Sequence, residues 1–551
     1  MHSQVSKVSP AASHSLALPD LMKPPSDAAV ILSGHCETSC SSKTRIWILV
    51  ATIIGSSMAF IDSTVVNVAL PALQSSFRAT VADVQWVIEA YGLLLAALIL
   101  VVGSLGDLFG RRLIFVSGVA IFAVASGGCG IALSIGQLIL ARSAQGIGAA
   151  LLVPGSLAII SASFDEKSRG QAIGTWSGFT AMTTALGPVL GGWLIEHASW
   201  RWVFFINVPL AAVVIGISLW HVPESRESVR ANIDWSGALA ATLGLAGLVN
   251  GFIESESEGW RHPLVLVSLT IGCVSLCLFF WVEARGQSPM VPLALFRSSS
   301  FSGANLLTLF LYGAIGIFFF LFPLNLIQVQ RYSTTATGTA LLPLILLIFV
   351  LSRWSGGLVA RYGSRLPLTI GPLVAASGFL LFAFTSVSGN YWTSFFPAVM
   401  VLGLGMAITV APLTTVVMDS IPQDRAGVAS GINNAVARVA GVLAIAVFGI
   451  VMVKAFGWRL SQSLAHDSLP AQILQEIQSR EIDLAAMQPP TGLNPGVRAF
   501  VMQSIDNAFV FGFRIVMLLC AALSLASCLV AWLMIPKNPG GAPDAGNGRM
   551  V

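Results

Sequence analysis

Apolar residues fall in long blocks separated by short polar stretches. Blocks 114–133, 202–222 and 514–535 each run for about twenty residues with almost no charge, and roughly 17–25 such residues carry a helix across a bilayer core. The alternating ten-residue pattern of a membrane barrel is absent. The same criterion predicts about 14 spans: 46–71, 84–104, 113–133, 136–160, 171–196, 202–222, 236–253, 263–283, 302–327, 337–359, 367–386, 393–417, 428–453 and 511–535. The expected fold class is therefore an all-α membrane protein.

Composition agrees. Hydrophobic residues make up 55% of the 551, charged residues 10%, and mean hydropathy is +0.82. Soluble domains carry about 25% charge, so lipid must solvate most of this surface. The net charge of +4 contains no basic run suited to nucleic acid. Of the seven cysteines, Cys36 and Cys40 lie beside His35 without the second ligand pair of a metal site, and the others lie in apolar spans.

Residues 1–44, rich in Ser, Pro and Ala, read as a disordered cytoplasmic tail without signal-peptide features, and 536–551 read as a second tail. Lys and Arg set the orientation. Counting from a cytoplasmic N-terminus, the even connections hold Arg111, Arg112, Lys167, Arg169, Arg226, Arg230, Arg285, Arg297, Arg361, Arg365 and Arg425. The short odd ones hold only Arg78, Arg201, Arg261 and Arg331. Both termini are expected in the cytoplasm, at the inner (cytoplasmic) membrane. The long polar segment 454–508 then faces outward, with a surface helix expected over 470–487.

A repeat is visible. GSLGDLFGRR from Gly103 follows the second span, and GGLVARYGSR from Gly356 follows the tenth. Gly170, Ala172 and Gly174 open the fifth span as Gly427, Ala429 and Gly431 open the thirteenth. Each pair is eight spans apart, which predicts a six-span bundle (45–225), two inserted spans (226–290) and a second six-span bundle (291–535). Paired six-span repeats are a transporter architecture with the substrate cavity between the halves.

Three motifs carry a family resemblance. GSLGDLFGRR, with Gly103, Asp107, Gly110, Arg111 and Arg112, resembles the loop signature of the major facilitator superfamily, although Leu108 replaces its usual basic residue. The fifth span, with Gly174, Gly187, Pro188, Gly191 and Gly192, resembles the antiporter motif of its drug-efflux members, with Thr183 in place of a Gly. IDSTVVNVALPAL, with Asp62, Thr64, Asn67 and Pro71, resembles the first span of the fourteen-span drug:proton antiporters, the EmrB and QacA group. QWVIEAYGL, SWRWVFFINVP and PLALFRSSSF extend the likeness over about 45–535. The resemblance implies the major facilitator fold, a charge lock in the loop signature, and exchange of a cationic or amphipathic compound for protons.

Ionisable groups at membrane depth are functional candidates by default. Asp62, Glu89 and Arg142 are the candidates for proton coupling, at roughly 15, 8 and 10 Å from the outer ends of their helices. LILARSAQGIGAA around Arg142 resembles the fourth-span Arg motif linked in the family to proton coupling. Asn305, Gln328, Asn433, Asn434 and Arg438 are weaker candidates for lining the cavity, with helix-to-helix hydrogen bonding an equal reading. Phe318, Phe319, Phe320 and Phe322 are expected to face lipid, with stacking on a flat substrate as the alternative. No nucleotide-binding or H-E-x-x-H pattern occurs, so neither an enzyme nor a cofactor is expected. The expected partners are a small-molecule substrate, protons and the bilayer; nothing in the sequence demonstrates a periplasmic adaptor. The expected function is proton-coupled export of small organic compounds. A symporter of the same fold and a non-transporting scaffold or receptor remain as alternatives.

Overall fold

The computed structural model describes residues 42–537, except 165, 226–233, 287, 288, 290, 388, 422–425, 466–473, 475, 476, 478–480, 488 and 490–492. The expected tails lie outside these residues except at their inner ends. So does half of 470–487, where the structure describes a short 3₁₀ segment, Glu481–Ala486.

The described residues form fourteen long helices and no β-strand. They are α1 (Ser42–Phe77), α2 (Val81–Phe109), α3 (Arg111–Ile131), α4 (Ile135–Ser163), α5 (Glu166–His197), α6 (Asn207–His221), α7 (Trp235–Ser257), α8 (Pro263–Arg285), α9 (Ser299–Leu324), α10 (Leu342–Tyr362), α11 (Arg365–Phe382), α12 (Phe396–Asp419), α13 (Ala426–Leu464) and α14 (Pro495–Met534). Short lead-in helices, Trp202–Phe205 and Thr334–Ala340, precede α6 and α10. Thirteen helices are long and apolar enough to cross a membrane. The fourteenth, α5, is richer in Gly, Ser and Thr but long enough at 32 residues.

Local chemistry sets the boundaries. Thr80 and Asp83 cap α2 reciprocally: the Thr80 amide donates to Asp83 Oδ2 at 2.8 Å, and the Asp83 amide to Thr80 Oγ1 at 3.2 Å. The turns after α2 and α10 need a positive φ, supplied by Gly110 at 111° and Gly363 at 76°. These are the shared second glycines of the sequence repeat.

Helix packing follows the same repeat. In the first half α1 packs on α5, α2 and α3 on α4, and α3 on α6; eight helices later α9 packs on α13, α10 and α11 on α12, and α11 on α14. This is the major facilitator architecture, two six-helix bundles plus two inserted helices. The inserted α7 and α8 touch backbone to backbone, since a Cβ on Gly247 would lie 2.6 Å from the Gly272 amide nitrogen. Leu245, Val249 and Ile253 of α7 pack with Leu93 of α2 and Val442 of α13, so the pair bridges both halves along one side.

Two expectations need correction. Helix α13 continues to Leu464 and α14 begins at Pro495, so the segment expected as the loop 454–508 is largely helical at both ends. Phe456, Leu460 and Leu464 form an apolar stripe, buried like Val501 and Ile505 of α14. A hydropathy window overlooks such a stripe because polar positions outnumber apolar ones. The aromatic run of α9 does not face lipid: Phe318, Phe320 and Phe322 are fully buried. Phe318 stacks on Phe322 at 4.9 Å and meets Phe382 at 5.0 Å, because α9 is enclosed by α13 and α14.

Candidate functional site

Arg142 of α4 is the largest fully buried side chain among the described residues. Its Nη1 donates to Asp62 Oδ2 on α1 at 2.5 Å and to Gln145 Oε1 at 2.7 Å, and its Nε donates to the Val87 carbonyl on α2 at 3.1 Å. The guanidinium lies 4.2 Å from the Tyr91 ring centroid, a cation–π contact. Gln145 closes the circuit, its Nε2 donating to Asp62 Oδ1 at 2.9 Å and to Ser126 Oγ at 3.2 Å. Asn207 Nδ2 also donates to Ser126 Oγ, at 2.9 Å. Asp62 thus has both oxygens occupied, and the ion pair is shielded from solvent. A buried pair of this kind is neutral as a unit, but removing either charge strands the other.

Glycine makes the convergence possible. A Cβ on Gly146 would lie 2.5 Å from the Tyr91 carbonyl oxygen, and one on Gly148 2.6 Å from the Phe122 amide nitrogen. Both glycines follow Arg142 on α4, so α4 can touch the backbones of α2 and α3 there. Arg142 and Gln145, three residues apart, then share one face of α4. Gln145, Ser126 and Asn207 were not legible as site residues; the i, i+3 spacing of Gln145 to Arg142 was the only signal.

Glu89 stands apart. It is fully buried, yet neither carboxyl oxygen has a hydrogen-bond partner, and Gln85, one turn away, is equally unpartnered. Their face of α2 also carries Gly92, where a Cβ would lie 3.2 Å from Val442 Cγ2 on α13. Glu89 therefore faces the seam between the halves and is not paired with Arg142.

The polar candidates of the second half divide into three roles. Asn433 Nδ2 donates to Asn305 Oδ1 at 3.2 Å and to Thr308 Oγ1 at 2.7 Å, which ties α13 to α9 within one half. Gln328 Nε2 donates to Gln74 Oε1 at 2.8 Å, so it joins α1 to the segment after α9. Asn434 is exposed, and half-buried Arg438 lies within electrostatic reach of Tyr91 and Tyr312.

The halves meet at the end of the molecule remote from Ser42 and Met534. Besides the Gln74–Gln328 bond, Thr334 Oγ1 donates to the Gly192 carbonyl at 2.9 Å, and the Thr335 amide donates to Glu196 Oε2 at 3.2 Å. The Thr335 and Ser333 bonds hold the exposed Glu196 carboxyl below the usual range.

Comparison with known proteins adds a decisive observation: the family model for the Major Facilitator Superfamily matches residues 52–445. The chain belongs to the Major Facilitator Superfamily. It is thus a multi-pass membrane transporter, not an enzyme. It is 32% identical over 90% of its length to the multidrug resistance protein Stp of Mycobacterium tuberculosis (strain CDC 1551 / Oshkosh), covering 93% of that protein. It is 34% identical over 92% of its length to the tetracenomycin C resistance and export protein of Streptomyces glaucescens, covering 95% of it. The structure of a bacterial homolog of the human lysosomal transporter Spinster, inward-facing and unoccupied, matches with a TM-score of 0.61. That alignment has 18% identity and covers 89% of this chain and 98% of the other, which concerns the fold alone.

The superfamily motifs can now be placed. Arg112 Nη1 donates to the Val222 carbonyl at 3.1 Å, and its Nε lies 3.6 Å from Glu224 Oε2, just past the end of α6. The Arg111 amide donates to the Ser225 carbonyl at 3.0 Å. In the repeat copy, Arg365 donates to the Trp532 carbonyl near the end of α14. Both arginines thus staple the last helix of their own half; the lock implied by the family resemblance involves the loop acid Asp107, whose side chain lies outside those described. Gly103, Asp107 and Gly174 lie outside the described side chains. On α5, a Cβ on Gly191 would meet Val65 Cγ2 at 2.9 Å and one on Gly187 would collide with Thr64, so that face lies flat on α1. Gly192 and Pro188 turn the opposite way, against Thr334 and Gly338 of the second half. Thr183 Oγ1, at the missing glycine, donates to Ser57 Oγ at 3.0 Å.

Proposed function

We propose that this superfamily member exports small organic, drug-like compounds from the cytoplasm in exchange for protons. The observation that carries the proposal is the sealed Asp62–Arg142–Gln145 circuit: a titratable acid held by a base inside a transporter fold. The names of relatives 31–34% identical over at least 90% of this chain, which include tetracenomycin C export and puromycin resistance, support the substrate class.

The Lys and Arg bias puts both termini in the cytoplasm. The end closed by Gln74–Gln328 and Glu196–Thr335 then faces outward, and the conformation is inward-facing. The domain reading retains the bundles 45–225 and 291–535, the inserted pair 226–290, and the tails at either end.

Two acids have two tasks. Protonation of Asp62 releases Arg142 to its remaining partners, Gln145 and the Val87 carbonyl, and lets α1 shift against α4. Glu89 lies in the outer seam, which must separate for the outward-facing state. A neutral acid is tolerated in the closed seam, whereas an unpaired carboxylate is costly there. External protons reaching Glu89 in the open seam therefore favour closure.

Everted vesicles with an acidic lumen, given a fluorescent dye on the outside, test this reading. Asp62→Asn and Glu89→Gln are expected to bind dye but lose gradient-driven uptake and dye-induced proton release in detergent. Wild-type rates in both variants would refute the assignment of coupling to these acids. Dye movement down the proton gradient would indicate symport, and no movement in the wild type would indicate a scaffold.

A further inference from the structure

Arg438 is a cation with no counter-charge among the described residues. It lies about 18 Å along α13 from Ala426, deep in the span. It is half-buried and has no hydrogen bond, ion pair or ring contact with any described residue. Two other arginines at membrane depth are satisfied. Arg142 has Asp62, and Arg514 donates to the Thr385 carbonyl at 2.9 Å. Cations at membrane depth normally pair with an acid or with carbonyls. Asp62 acts on the same Tyr91 that Arg438 reaches, but both its oxygens are already taken by Arg142 and Gln145.

The surroundings favour an aromatic ligand. Tyr91 comes from α2 of the first half and Tyr312 from α9 of the second, and Arg438 acts on both. Arg438 also lies one turn before Val442, which meets Gly92 of α2, so it sits on α13 next to the seam between the halves. Asn434 lies one turn earlier on the same face of α13 and is exposed. A planar guanidinium within electrostatic reach of two tyrosines can bind a carboxylate, phenolate or sulfonate on a flat ring system through paired donors.

Building on the export reading, we infer that Arg438 binds the anionic group of the transported compound, which makes the substrate class amphipathic aromatic acids. This departs from the cationic expectation that the family resemblance carries, since an uncompensated guanidinium repels a cation.

Fluorescein and rhodamine 123 share a xanthene ring but carry opposite charge, so they isolate the charge preference. Binding of each to the detergent-purified full chain is measured by fluorescence polarisation. The wild type is expected to bind fluorescein, Arg438→Gln to weaken it about tenfold or more, and Arg438→Lys to weaken it less. Rhodamine 123 is expected to bind Arg438→Gln no more weakly than wild type, which also shows that the variant is folded. The inference is overturned if the wild type shows no saturable fluorescein binding, if Arg438→Gln binds it as wild type does, or if both dyes weaken together. Proton-driven uptake of either dye by everted vesicles is read separately. Arg438-dependent fluorescein binding without any uptake would overturn the export reading and leave the anion site standing.

Discussion

Replacing Asp62 by Asn removes one negative charge from a site that solvent does not reach. Arg142 keeps its bonds to Gln145 Oε1 and the Val87 carbonyl and its contact with Tyr91. Breaking a buried pair from one side costs about 3–5 kcal/mol, and those surviving partners put the expected loss at the lower end, about 3 kcal/mol. At 1.4 kcal/mol per factor of ten, local opening of the circuit becomes about 100-fold more populated. Cys129 reports that opening: it is 0% exposed, and its Sγ lies 3.7 Å from Gln145 Oε1. In a protein whose other six cysteines are serine, the rate of Cys129 alkylation by a maleimide is expected to rise about 100-fold in Asp62→Asn. Pairing the change with Arg142→Met is expected to restore most of the protection, because an apolar replacement of a whole buried pair is often neutral. An Asp62→Asn rate within about threefold of the parent would show that the pair does not hold α1 against α4.

Gly191→Leu places a branched side chain where even a Cβ would meet Val65 at 2.9 Å. It is expected to abolish dye transport while the protein still reaches the membrane fraction, and Gly191→Ala is expected to be milder, at about 1–3 kcal/mol of overpacking. The Glu196 latch has a defined pH response, because Thr335 and Ser333 lower its carboxyl in the closed form. The latch is therefore fully present above the ordinary carboxylate range and lost as pH falls through the lowered value. Spin labels at Ala198 and Ala336 are expected to move apart only under strong acid, and Glu196→Gln to remove that pH dependence. An unchanged acid response in Glu196→Gln would assign the latch to the Thr334–Gly192 bond alone.

The fourteen spans were legible because the bilayer imposes a length and an apolarity on each helix separately. The repeat was legible because both halves need the same positive-φ glycine, Gly110 and Gly363, at the same turn. Asp62 and Arg142 also stood out locally, since a charge inside an apolar run is costly wherever it packs. Their pairing was a tertiary matter. Glu89 had an equal claim on Arg142 by depth, and only the contact of α4 with α2 through Gly146 decided that Arg142 turns to α1. That same packing left Glu89 in the seam and drew in Gln145, which in sequence is one polar residue among many. Gln328 read equally as a cavity residue or a helix-to-helix hydrogen bonder, and only the closed end of the molecule matches it with Gln74, 254 positions away. The buried phenylalanines of α9 and the helical extensions of α13 and α14 were hidden for the same reason. Hydropathy reports how much a residue dislikes water, but whether lipid or another helix covers it depends on neighbours that the local sequence does not contain.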